Sequence, residues 1–238
     1  MPVNERAPLT RDRVLQAALH LADTEGLPAL TMRRLGAALG VEAMALYHHV
    51  ASKADLMAGL ADQVAVEVDE PPAGAGWREQ LRQRAVTTHA ALLRHPWAAT
   101  LWVGQASGVG PERMRLMEGT LSALRAAGFP PTLLDRAFHT LQNHVLGHAV
   151  QAVTVGAGSD AEGGDLAGAA ARFLTRPELE DYPELAAHVR WHVATPHTES
   201  AFAFGLDLLL DGLERALAAE AGRPEPEGPP PVVQDRSR

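Results

Sequence analysis

The stretch LTMRRLGAALGVEAMALYHHVASKADL, residues 30–56, decides the fold. Thr31 stands just before a run in which Met32, Leu35, Ala38 and Leu39 recur at helical spacing, and Gly40 closes the run. That pattern predicts a short helix with a hydroxyl N-cap and a glycine stop. After Val41 alone, residues 42–49 predict another short helix, with Leu46 and Val50 turned inward. Ser52 then opens a further helix, with Asp55 three residues on: a capping box in which Asp replaces the usual Glu. Upstream, Val14, Leu15, Ala18, Leu21 and Ala22 mark one face of a longer helix between Thr10, its N-cap, and Gly26, its stop. Two short helices joined by a glycine-containing turn and packed on a longer first helix make a helix-turn-helix, here spanning about residues 30–49. Spacing alone also suits any small helical bundle.

The pattern stays helical beyond this unit. EPPAGAG, residues 70–76, is a linker by composition. Longer helices follow at 77–95, 97–105, 111–127, ended by Gly128, and 132 to about 155. GAGSDAEGGD (156–165) has nothing to pack and reads as a loop, after which helices resume at 166–175, 183–193 and 199–221. Residues 1–9 and the Pro-rich segment 222–238 read as disordered. The expectation is an all-α protein: a helix-turn-helix domain at 10–69 and a larger helical domain at 77–221.

The chain has 238 residues, no cysteine and a net charge of −8, with no apolar run near the roughly 18 residues of a membrane span. Disulfides and thiolate chemistry are excluded, and a cytoplasmic protein without a signal peptide or membrane segment is expected. Charge balances over residues 1–60, so the rest of the chain carries the whole acidic excess. Nucleic acid, if it is a partner, meets a local patch at the N-terminal end, because an acidic body repels phosphate. Lys53 is the single lysine of the chain.

The segment at residues 10–64, with EG…ALTMRRLGAALGV followed in register by LYHHVASKADL, resembles the N-terminal domain of the tetracycline-repressor family of bacterial transcription regulators. AGW…LR near 75, LRAAGF near 125 and FAFGLDLLLDGLE near 210 resemble the regulatory domain of the tetracycline-repressor branch. The resemblance implies a homodimer that holds operator DNA until a small molecule binds the C-terminal domain and spreads the two recognition helices. It puts Lys53 where family members contact a DNA phosphate, and physics agrees: free N–H groups at a helix start favour an anion, and an ammonium adds a point charge. Arg33 would reach a phosphate or a base edge, and Thr31 a phosphate through the hydroxyl that also caps its helix. Ala43 and Met44 offer apolar contact at the exposed end of the recognition helix, and Tyr47 and His48 offer hydrogen bonds. His49 is either a phosphate donor or a partly buried group.

In the C-terminal half, the helix FAFGLDLLLDGLERAL is apolar nearly all round, with Gly205 and Gly212 seven residues apart, so it is buried on two sides, by its own domain and by a partner. Gly205, Leu209 and Gly212, with Gly147 on an earlier helix, are the candidate dimer contacts. Alignment with the tetracycline-repressor pocket gives Arg84, Trp102, Thr120 and Gln151 as ligand positions, joined by Thr88, Met117, Phe138 and Asn143 as walls. Trp102 stands where the branch has a metal-binding His, and Gln151 where it has an acidic partner. Neither serves magnesium, so an aromatic or apolar ligand without a metal or cofactor is expected rather than a tetracycline–magnesium complex. His144 and His148, like His188 and His192, lie one turn apart, a spacing that also suits zinc. A small helical metalloenzyme is therefore the alternative to a ligand-responsive, non-enzymatic repressor.

Overall fold

The computed structural model describes residues 8–103, 108–157, 166–195 and 200–222. The readings of residues 1–7, most of the 156–165 loop and the segment after Gly222 therefore lie outside the described residues. The elements are α1 (Arg11–Glu25), α2 (Met32–Leu39), α3 (Ala43–Leu46), α4 (Lys53–Val66), α5 (Trp77–Arg94), α6 (Ala98–Val103), α7 (Pro111–Ala126), α8 (Pro131–Ala157), α9 (Leu166–Leu174), α10 (Pro183–Ala194) and α11 (Ala201–Ala221). Short 3₁₀ turns at Leu27–Ala29 and Pro177–Asp181 were not expected from the sequence; each carries a proline that fixes φ in a segment too short for an α-helix. No strand occurs among the described residues.

The caps read from the sequence form. Thr10, Thr31 and Ser52 each accept a hydrogen bond through the side-chain oxygen from the amide three residues on, at 3.2, 3.2 and 3.1 Å. Gly40 takes the left-handed conformation, φ 67°, that ends α2. The reciprocal bond of the Ser52 box is displaced by one residue: Asp55 accepts from the amide of Ala51, which precedes the cap, at 2.8 Å. Asp55 also receives two hydrogen bonds from Arg11, at 2.9 and 2.7 Å, and the same guanidinium donates to the His49 carbonyl at 3.0 Å. One arginine on α1 thus ties the end of the recognition segment to the start of α4.

The recognition segment is shorter than the eight residues expected. α3 proper ends at Leu46, and Tyr47 to His49 continue as tight turns held by bonds such as His49 N–H to Leu46 O at 2.9 Å. α6 begins one residue late and is described as far as Val103, residues 104 and 105 of the expected helix lying outside the described residues, whereas α8 runs two residues past the expected end. Leu46, Val50, Leu56 and Leu60 are fully buried with Val14, Ala18 and Leu35, and this cluster continues without a break through Leu81, Leu92, Leu124 and Leu206 of the long helices. α5, α7, α8 and α11 pack on one another, α4 reaches α6 and α7, and α9 packs with α10. Ion pairs from Arg78 to Asp211 and from Arg82 to Asp207 join α5 to α11.

The α2–α3 turn depends on a glycine the sequence reading passed over. A Cβ on Gly36 would lie 2.8 Å from the Val41 carbonyl oxygen and 3.2 Å from the Ala43 amide. Both atoms are backbone and cannot swing away. Gly36→Ala is therefore expected to cost about 1–3 kcal/mol through overpacking, against a gain of up to about 1 kcal/mol that alanine brings to an unobstructed helix. Urea unfolding checks the sign: a stabilised variant would show that the turn yields.

Candidate nucleic-acid interface and effector cavity

The N-terminal face gathers most of the expected contacts. Met44 is 74 % exposed at the start of α3, and Tyr47 and His48 are exposed beside it, while Leu46 behind them is fully buried. Ala43 and His49 are half-buried. Thr31 is exposed at the head of α2 and spends its oxygen on the Arg34 amide. Arg33 and Lys53 are exposed with no hydrogen bond or ion pair to any described residue, whereas Arg34 is held by Glu25. Lys53 is the first residue of α4 after the Ser52 cap. Its cation faces the positive end of the helix dipole, an arrangement that an external anion relieves.

A cavity of about 900 Å³ lies between α5, α6, α7 and α8. Of the eight expected ligand positions, Arg84, Thr88, Trp102, Met117, Thr120 and Asn143 line it. The other two do not. Phe138 is buried in the core just before His139, the first α8 residue of the wall, and Gln151 is exposed just after Val150, the last. Among the described residues no Asp or Glu lines the cavity.

Two connections from this cavity to α4 were missed. The Trp102 indole N–H donates to the Ala61 carbonyl of α4 at 3.1 Å. Asp62, next along α4, accepts from the backbone amides of Glu112 and Arg113 at 3.2 and 2.9 Å and so caps α7, which starts at Gly110–Pro111 without a side-chain cap of its own. The signal was present: a helix opened by Gly-Pro needs an acceptor from elsewhere. A Cβ on Gly110 would collide with the Asp62 carboxylate at 2.5 Å, so a side chain there would have to displace it from the α7 amides. Arg113, held by this cap, lies 5.1 Å from the Trp102 ring centre and lines the cavity.

The histidine pairs pack rather than gather around a site. His89 stacks on Phe202 at 3.8 Å, and His144 stacks on the same ring at 5.0 Å while its Nε2 meets the Phe202 carbonyl at 2.9 Å. Burial, then the neighbouring His148 and His144, pulls His89 down to about 4, so it is neutral at ordinary pH. His188 and His192 stack on each other on α10. Among the described residues no group of three or more His, Asp or Glu is placed to hold a metal.

The expected dimer positions divide as well. A Cβ on Gly205 would meet the His144 ring of the same chain at 2.6 Å, so this glycine serves the packing of α11 on α8 inside the protomer; an apolar pattern cannot tell own domain from partner. Nothing lies within 4 Å of a Cβ built on Gly147 or Gly212. Leu209 is half-buried, and Phe204 and Leu208, which the sequence reading did not single out, are each 55 % exposed.

Residues 14–60 match the model for "Bacterial regulatory proteins, tetR family", and residues 70–217 match "Tetracyclin repressor-like, C-terminal domain". The chain belongs to the tetracycline-repressor family. A relative from Streptomyces coeruleorubidus, the HTH-type transcriptional repressor DrrR1, is 32 % identical, covering 92 % of this chain and 82 % of its own. The Streptomyces coelicolor TetR family protein ActR in complex with actinorhodin superposes with a TM-score of 0.67 at 30 % identity, over 91 % of this chain and all of its own. BioQ bound to its double-stranded DNA operator superposes at 0.61 with 28 % identity, over 87 % of this chain and 99 % of its own. The family is one of transcription regulators rather than enzymes, which sets the metalloenzyme alternative aside at that level.

A second latch joins the first helices of this family member to its C-terminal half. His95, buried at the end of α5, meets Asp23 of α1 at 2.8 Å and Glu67 at the end of α4 at 2.9 Å, and the Trp97 indole donates to Asp23 at 2.7 Å. Burial disfavours the imidazolium, but the bonds to Asp23 and then Glu67 outweigh it and raise the His95 pKa above 6.5. A raised folded-state value means the contribution is whole below the unfolded value and is lost as pH rises through the folded one. Wild type should therefore lose stability relative to His95→Gln as pH is raised upward from about 6.5. Urea midpoints of both proteins across that range test it, and parallel curves would count against the latch.

Proposed function

We propose that the chain is a cytoplasmic homodimeric repressor that grips operator DNA through the α2–α3 face and Lys53, and lets go when a small molecule fills the cavity of the C-terminal half. The observation that carries this reading is the direct hold of the cavity wall on α4: Trp102 bonds Ala61, and Asp62 caps the helix bearing Arg113. A ligand that pushes on Trp102 or Arg113 displaces α4, and α4 begins at Lys53, beside the recognition segment. The relatives support both halves, one crystallised with a small molecule and one with its operator. The partner copy covers the outward strip of α11, Phe204 and Leu208, with Gly212, and Gly147 on α8.

Within this reading Thr31, Arg33, Tyr47, His48 and His49 position the protein on the backbone or at base edges, and Ala43 and Met44 touch bases. A recognition segment this poor in hydrogen-bonding side chains reads sequence partly through DNA shape.

Each neutralised phosphate contributes about 0.9 to the slope of log affinity against log salt. Lys53→Ala is expected to weaken binding to the operator and to unrelated DNA by similar factors and to flatten the slope by about two per dimer. Met44→Ala should change which operators are preferred and leave the slope nearly alone. Gel shifts over a salt series, on DNA flanking the protein's own gene, measure both, and a wild-type protein that shifts no such fragment would sink the reading.

Tetracycline with magnesium should fail to release the DNA, because the described cavity walls offer Trp102 and no carboxylate for the metal. Release in the same assay at low drug concentration would reverse that conclusion.

A further inference from the structure

We propose that the cavity takes an organic acid, an aromatic or apolar body bearing a carboxylate or a comparably acidic oxygen, with Arg84 as the residue that binds the anion. The inference rests on the cavity being the effector site. Its starting point is an unsatisfied cation. Arg84 lines the cavity from α5, its side chain is 13 % exposed, and its Nε and Nη1 are buried without a hydrogen-bond partner among the described residues. Nη2 is engaged by Glu70 at 2.8 Å, and that carboxylate is itself exposed and shared with Arg115. Other guanidiniums that touch carboxylates, such as those of Arg11, Arg82 and Arg94, do so nearer to solvent.

Buried donors left unpaired cost free energy, so native proteins seldom keep them without a use. Arginine cannot escape by losing its proton, although burial pulls its pKa down. The position is also built. The Arg84 guanidinium lies against Gly119 of α7, where a Cβ would come within 2.6 Å of its central carbon, so any side chain at 119 would evict it.

The surroundings fix the sign of the ligand. Arg113 supplies a second guanidinium to the same cavity, with contacts of 3.4 Å to the carbonyls of Gly108 and Trp102. Its nearest opposing charge, Asp62, is occupied by the amides of Glu112 and Arg113. Among the described residues no Asp or Glu lines the cavity. A cationic ligand meets two like charges in a poorly screened space, and a neutral one, even where its carbonyl accepts a hydrogen bond, brings those charges no counter-charge. An anion satisfies them, while Trp102, Leu116, Met117 and Leu146 take its apolar body. A volume of about 900 Å³ leaves room for several fused rings.

The test titrates the full chain with anthraquinone-2-carboxylic acid and with anthraquinone-2-carboxamide, which keep the shape and change the charge. Binding is followed by calorimetry at neutral pH, and DNA release by gel shift in parallel. Wild type should prefer the acid by about tenfold or more, the scale of one charge-assisted hydrogen bond. Arg84→Met should abolish the preference and Arg84→Lys keep part of it. Gly119→Leu, which dislodges the guanidinium without removing it, should mimic Arg84→Met, and circular dichroism confirms that each variant is folded. Equal affinity for acid and amide, or binding of neither, overturns the proposal. If the acid is preferred but the DNA stays bound, the anion site stands and the effector reading fails; if the amide releases DNA as well as the acid does, the effector reading stands and the anion site falls.

Discussion

The Asp62 carboxylate is the constraint on which the two halves of the molecule depend. α7 begins at a glycine and a proline and cannot cap itself, so its first free amides are satisfied from α4. Charge at that end of a helix is doubly favoured, by the hydrogen bonds and by the dipole. The result is that α4 and α7 hold each other in register: sliding one past the other would strand two half-buried amides. The Trp102–Ala61 bond, one residue away on α4, adds a second fixed point, so the cavity wall and the helix beneath the DNA face form one mechanical piece.

Much of the first sixty residues could be read directly because their determinants are local. A cap is decided within four residues, and the Thr31, Ser52 and Gly40 signals sit beside the helices they bound. Gly36 escaped notice for the opposite reason: its need arises from the Val41 carbonyl, which arrives only when α3 folds back. Arg11 was a surface charge in the sequence and a three-bonded clasp in the fold.

The C-terminal half was legible by type and less so by position. Six of the eight candidate positions, three of the four aligned and three of the four added as walls, line the cavity, yet Phe138 and Gln151 fall just beyond its ends, where a wall stops rather than turns. The Gly-Pro start of α7 signalled the need for an outside acceptor, but Asp62, like Arg113 and His95, could not be named from the sequence because each acts through a partner far along the chain. The histidines invited a metal reading from their spacing, whereas their rings are spent on Phe202 and on one another. Spacing along one helix cannot say what the neighbouring helix will offer.

The solitary lysine has a practical consequence. Amine-reactive acylating reagents find one side-chain target in the whole chain, and it is exposed at the head of α4. Acylation there erases one positive charge and its donors, without any change to the gene. The same ammonium is the one side-chain amine to which a fluorophore can be attached, placed where the chain turns from the recognition segment into the helix that leads to the cavity.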